Sequence, residues 1–226
     1  MNAQLGRILS VVAIIFMGLT GAMNILGGIG TSCAAFLTKD YPPYWILIQS
    51  DLQWLWQSFV VLTTLIGIAN VWSTIRLSRG KDNAYRNAVI ILALGTLVTG
   101  VHVYSSYAVL EGIMPVLFVF LANGITLLLF LFLRLPGIRE RVDFGRSAED
   151  GVGQTAAGLT AIIVGLVVLT TSLWVGSSHV YEGANWTHVL TEFLIGSSLV
   201  LMGTGVATLF LLQLKGFFVR VFATTR

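Results

Sequence analysis

Six long apolar runs, separated by short polar stretches, dominate the chain. They cover about residues 8–30, 55–77, 88–110, 113–135, 154–176 and 189–213. Each run is continuous rather than alternating. Each is close to the ~20 residues a helix needs to cross ~30 Å of hydrocarbon at ~1.5 Å per residue. A membrane β-barrel would need strands of alternating polarity, which these runs lack. Backbone groups inside a bilayer must be satisfied within the spanning structure, which leaves helices. The pattern predicts an all-α, polytopic transmembrane helical bundle of about six spans, forming one domain over residues 1–226. The first run exceeds the ~7–15 apolar residues of a secretory leader. It therefore reads as a span.

The polar stretches set the orientation. "RLSRGKDNAYR" carries Arg76, Arg79, Lys81 and Arg86, and "RLPGIRERVDFGRSAEDGVG" carries Arg134, Arg139, Arg141 and Arg146. Arg7 precedes the first run, and Lys215, Arg220 and Arg226 lie at or beyond the end of the last. These four segments hold twelve of the thirteen basic residues; Lys39 alone falls on the opposite side. Cytoplasmic segments collect Lys and Arg, so both termini are predicted in the cytoplasm of a multi-pass inner or plasma membrane protein.

Composition narrows the partners. Hydrophobic residues make up 56% of the chain and charged residues only 10%, against about 25% charged in soluble domains. The lipid bilayer is thus the main solvent. The sequence pI near 9.2 follows from topology signals, so no nucleic acid partner is indicated. A single cysteine, Cys33, rules out an internal disulfide or a cysteine metal cluster.

The opposite side has a different character. Its longest loop, "TSCAAFLTKDYPPYWILIQSDLQW", contains Pro42 and Pro43 and then an apolar, Trp-rich segment. Five of the six tryptophans (Trp45, Trp54, Trp56, Trp174, Trp186) lie toward this side, where an interfacial aromatic belt is the simplest reading. "SSYAVLEG" (105–112) and "SSHVYEG" (177–183) end the third and fifth runs with similar wording and suggest a faint internal repeat.

All three histidines gather here. His102 lies within the third run, eight residues from its end, or ~12 Å along a helix. His179 and His188 flank the turn "SSHVYEGANWTH" together with Glu182, and Glu192 opens the sixth run. An imidazole inside a span needs a partner, and ionisable groups there usually face a bundle interior or a cavity. The candidate cofactor-binding residues are therefore His102, His179, His188, Glu182 and Glu192. His102 with His179 is the candidate axial pair for a haem b iron. His with carboxylate also suits copper or zinc, or proton exchange with a quinone, and a histidine can face a pigment. Three histidines are too few for a bis-haem cytochrome.

Asn24, Asn70 and Asn123 are the polar amides within runs, and they read as interhelical hydrogen-bonding groups. No charged residue lies near the middle of any run, whereas ion-coupled transporters generally need one. "GGIG" lacks the lysine and spacing of a phosphate loop, and GxSxG is absent. These features point to a non-catalytic membrane subunit of a larger respiratory or photosynthetic electron-transfer complex. It would anchor other subunits and shape a haem, quinone or pigment site near the outer face. The alternative is a stand-alone small-solute transporter or channel, for which the three asparagines would have to converge into a polar file.

Overall fold

A computed structural model describes residues 3–40, 44–113, 115–149, 151–181 and 184–223. The α-helices among them are α1 (Ala3–Phe36), α2 (Trp45–Gln49), α3 (Gln53–Ser78), α4 (Ala84–Leu110), α5 (Val116–Phe132), α6 (Phe144–Glu149), α7 (Val152–Leu169), α8 (Thr171–Val175) and α9 (Thr191–Ala223). Five of them, α1, α3, α4, α7 and α9, are long and apolar enough to cross a membrane, and α5 is a shorter apolar helix of 17 residues. Large apolar side chains such as Leu65, Leu97, Leu128, Leu173 and Val200 cover the outer surface. A surface this apolar suits lipid rather than water.

Four helices close a bundle. α1 packs on α3, α3 on α4, α4 on α5, and α5 back on α1. Their order alternates in direction. Ala13, Ile14 and Met17 of α1 meet Leu77 of α3, Ala88 and Leu92 of α4, and Phe130 of α5 in one buried cluster at the basic end. At the other end, Ala34 and Ala35 of α1 meet Leu47 of α2 and Trp56 of α3. Short connections between antiparallel neighbours produce this up-and-down arrangement. α1 also packs on α7, which carries α9 on its far side.

Small residues allow the close contacts. A Cβ on Gly67 would stand 2.8 Å from the Ile25 backbone nitrogen, so α3 and α1 touch nearly backbone to backbone. A Cβ on Gly205 would stand 2.5 Å from the Gly158 carbonyl oxygen, which makes the same kind of seam between α9 and α7. Lipid supplies no hydrophobic drive between helices, so such close packing is what binds them. At the end of α1, Gln53 donates to the Ala35 carbonyl at 3.0 Å and to the Thr38 hydroxyl at 3.2 Å. The Gln53 amide thus covers a helix end that would otherwise be left open.

Apolar helices overlie the runs read from sequence, but α5 is shorter than the fourth run and α9 continues past the sixth to Ala223. The run 154–176 is two helices. α7 ends at Leu169, and α8 begins after Thr170, whose backbone sits at φ −91° and ψ 6°. The Thr170 and Thr171 hydroxyls bond back to carbonyls of the preceding turn. Such back-bonding bends helices. The suggested repeat is not a repeat of local structure. Ser105 and Ser106 lie inside α4, whereas Ser177 and Ser178 lie in a 3₁₀ turn, Gly176–His179. That turn leads into a minimal antiparallel pair, β1 (Val180–Tyr181) and β2 (Ala184–Asn185), with Val180 opposite Asn185. A second 3₁₀ turn, Trp186–Leu190, then opens α9. Asn185 holds that turn, because its Oδ1 accepts from the Thr187 backbone N–H at 3.0 Å and from the Thr187 hydroxyl at 2.7 Å.

Candidate functional site: two cavities that meet at His179

His102 belongs to the buried stripe of α4, Leu92–Gly95–Thr99–His102–Ser106. The 3–4 spacing keeps these residues on one face, and that face turns into the bundle. α3 supplies the ring's surroundings. Phe59 stacks on the imidazole with centroids 4.2 Å apart and planes 18° from parallel. Trp56 meets it edge-on at 6.4 Å and 88°. His102 is 4% exposed, and its Nδ1 has no hydrogen-bond partner among the described residues.

The imidazole lines a cavity of about 210 Å3 at the histidine end, together with Thr31, Tyr44, Ser106, Pro115 and His179. Hydroxyls and imidazoles thus face one space. Burial, and secondarily the neighbouring Cys33, pushes the Tyr44 phenol above its ordinary pKa. Tyr44 therefore stays a hydrogen-bond donor at neutral pH and well above it.

His179 ends the first 3₁₀ turn and is held by its own backbone. Nδ1 lies 3.2 Å from the Val175 carbonyl oxygen. A carbonyl only accepts, so in this contact Nδ1 is the donor. Nε2 is directed at Gly30 of α1, where a Cβ would stand 3.9 Å away and meet no other atom within 4 Å.

A second cavity of about 260 Å3 lies on the other side of this imidazole. Met23, Leu26 and Cys33 of α1, Trp174 of α8, and Leu194 of α9 line it. Ile29, Leu37, Leu190 and Phe193 also line it and are exposed on the outer surface. Gly27, Gly30, Pro115 and His179 border both cavities. One space is faced by hydroxyls and imidazoles as well as apolar groups; the other is almost wholly apolar and edged by exposed side chains.

The five residues singled out from sequence separate here. His102 and His179, on different elements, face the same cavity. His188 and Glu192 are exposed and line neither space. Glu192 lies in the first turn of α9, where a carboxylate suits the helix dipole. Glu182 lies outside the described residues. Among the described residues, no group of three or more His, Cys, Asp or Glu is placed to hold a metal ion. The sequence reading missed Phe59, Tyr44 and Gly30, and took Trp56 for part of an aromatic belt. Trp56 and Phe59 stand three apart on α3, but the crowded aromatic segment "QWLWQSF" hid which ones turn inward. Trp56 is 1% exposed and Trp54 59% exposed.

A polar layer lies deeper in the bundle. Asn24 of α1 and Asn123 of α5 exchange two amide hydrogen bonds of 3.2 Å. The hydroxyls of Thr20 and Thr126 meet at 2.7 Å one turn further in. Asn70 of α3 is fully buried, and neither end of its amide has a partner among the described residues. Every buried polar side chain among the described residues is Ser, Thr, Asn or His102.

No family model, curated protein or solved structure matches this chain.

Proposed function

We propose that this chain is a membrane subunit that holds a quinone-class amphiphile near the outer face, within a larger electron-transfer assembly. The observation that carries the reading is the junction of a polar cavity and an apolar, lipid-edged one at His179 and Gly30. A quinone has this dual character: a flat ring with two carbonyl acceptors and an isoprenoid tail. The ring suits the cavity of His102, Tyr44 and Ser106, whose O–H and N–H groups donate to carbonyls. The tail suits the groove of Met23, Leu26 and Phe193. Cavities of about 210 and 260 Å3 are together comparable to typical small-molecule sites of about 300–1,000 Å3. The polar space alone falls below that range, which favours a single ring over a haem or pigment macrocycle. Under this reading the His102–His179 axial pair is the less favoured use of the two imidazoles.

The transporter alternative draws support from the Asn24–Asn123 and Thr20–Thr126 pairs, which do form a polar layer. Against it stands the seal of Ile14, Met17, Leu77, Leu92 and Phe130 at the basic end, all fully buried.

The test uses the intact protein in detergent and a short-tailed ubiquinone analogue. Trp56 and Trp174 border the two cavities, so binding should quench tryptophan fluorescence saturably. Gly30→Leu, which fills the shared wall, should abolish the saturable part. Linear, unsaturable quenching in the wild type overturns the site. Gentle solubilisation from native membrane should co-purify redox subunits; a colourless preparation migrating alone overturns the assembly part.

A further inference from the structure

We propose that the basic end carries a binding site for the phosphodiester headgroup of an anionic membrane lipid, built by Arg134, Arg139 and Tyr85. A cavity of about 280 Å3 opens there, lined by Tyr85, Leu133, Arg134, Arg139, Val142 and Phe144. It is independent of the histidine-end cavities and shares no residue with them.

The arrangement is held from below. The Tyr85 hydroxyl donates to the Phe130 carbonyl. Its ring stacks on Phe130 at 5.6 Å and leans on Phe144 at 6.4 Å. The phenol is therefore fixed, and its face supports the Arg134 guanidinium, 5.6 Å from the ring centroid. A cation–π contact of this kind positions the guanidinium while leaving its N–H donors unused. Among the described residues, neither Arg134 nor Arg139 has an ion-pair partner, and no carboxylate lines the cavity.

Two guanidiniums around one space attract an anion, and their planar forks match phosphate oxygens. The rest of the lining decides which phosphate. Leu133 is buried, and Val142 and Phe144 pack against the apolar cluster of the basic end. The floor is thus apolar, and the site stands where α5 ends. A lipid offers both halves, a charged head for the rim and glycerol and acyl carbons for the floor. Basic pockets between spans on the cytoplasmic side bind lipid headgroups in this way. A soluble phosphate would leave the floor unfilled.

The experiment follows thermal unfolding of the full chain in detergent micelles as phosphatidylglycerol is added. Phosphatidylcholine and inorganic phosphate are run as separate arms. Phosphatidylglycerol should raise the unfolding temperature saturably, and the other two should not. Arg134→Gln with Arg139→Gln should weaken the apparent affinity about thirty-fold, and Arg139→Gln alone about five-fold. Arg79→Gln with Lys81→Gln, exposed positions outside the cavity, should leave it unchanged. If the double variant does not fold, native mass spectrometry of Arg139→Gln, which keeps the Arg134–Tyr85 contact, reads the loss of bound phosphatidylglycerol directly. A wild-type response in the arginine variants, or an equal response to phosphatidylcholine, overturns the site. Inorganic phosphate producing the full shift overturns the lipid assignment and makes this a site for soluble phosphate.

Discussion

At the basic end, Ile14, Met17, Leu77, Leu92 and Phe130 fill the space between the helices and are each fully buried. At the histidine end, the same α1, α3, α4 and α5 surround a cavity of about 210 Å3 faced by hydroxyls and imidazoles. Both ends are made by one set of helices, so helix identity does not separate them. What differs is the chemistry of the α4 stripe and the size of the residues that face it. The stripe of α4 runs Ala84, Ala88 and Leu92 at one end and Thr99, His102 and Ser106 at the other. The first set meets large apolar partners; the second meets Gly30, Thr31 and Ala34 of α1. This contrast predicts larger stability losses from substitutions at the closed end and larger binding losses from substitutions around the cavity.

The largest break of this comparison should come at the closed end. Phe130→Ala removes a fully buried ring and its stack with Tyr85. A loss of about 3–5 kcal/mol is expected, measured by reversible unfolding in mixed micelles, with quinone quenching in the surviving folded fraction unchanged. Asn123→Leu comes next. It removes both bonds to Asn24 and leaves that buried amide with only the Thr20 carbonyl. The expected cost is about 1–3 kcal/mol by the same assay. His102→Ala at the hollow end should cost less, about 1 kcal/mol, since the stack on Phe59 is its main packing contact. It should nevertheless weaken quinone quenching about tenfold or more, as loss of a hydrogen bond of ~1.4 kcal/mol would. Trp54→Ala should matter least. Its side chain is 59% exposed, so a change within about 0.5 kcal/mol is expected. If His102→Ala destabilised as strongly as Phe130→Ala, the division between the ends would fail.

The spans were readable because hydropathy over about 20 residues reports directly on the solvent. The break at Thr170 was not, since Thr-Thr is common in ordinary spans and bends a helix only when both hydroxyls turn back on the chain. His102 stood out because an imidazole within a span is costly without shelter. His188 and Glu192 stood out for the same chemistry but are exposed on the surface. Sequence order cannot separate these cases; only the direction of each side chain can. The aromatic segment shows the same limit. Trp54 and Trp56 are two apart, so they point to different sides of α3, and one is exposed while the other is a wall of the cavity. Gly30 gave no signal at all, because its contribution is the volume it leaves open.

The amide pair in the middle of the bundle also bears on how the protein is made. Asn24 and Asn123 are 99 residues apart in the chain. At translation rates of about 5–20 residues per second, the Asn24 side chain reaches the bilayer roughly 5–20 s before its mate has been synthesised. During that wait the Thr20 carbonyl, already 2.8 Å from its Nδ2, is the acceptor available within its own helix. The nascent chain thus carries an unfinished polar group into lipid, and the arrival of α5 is the event that completes it.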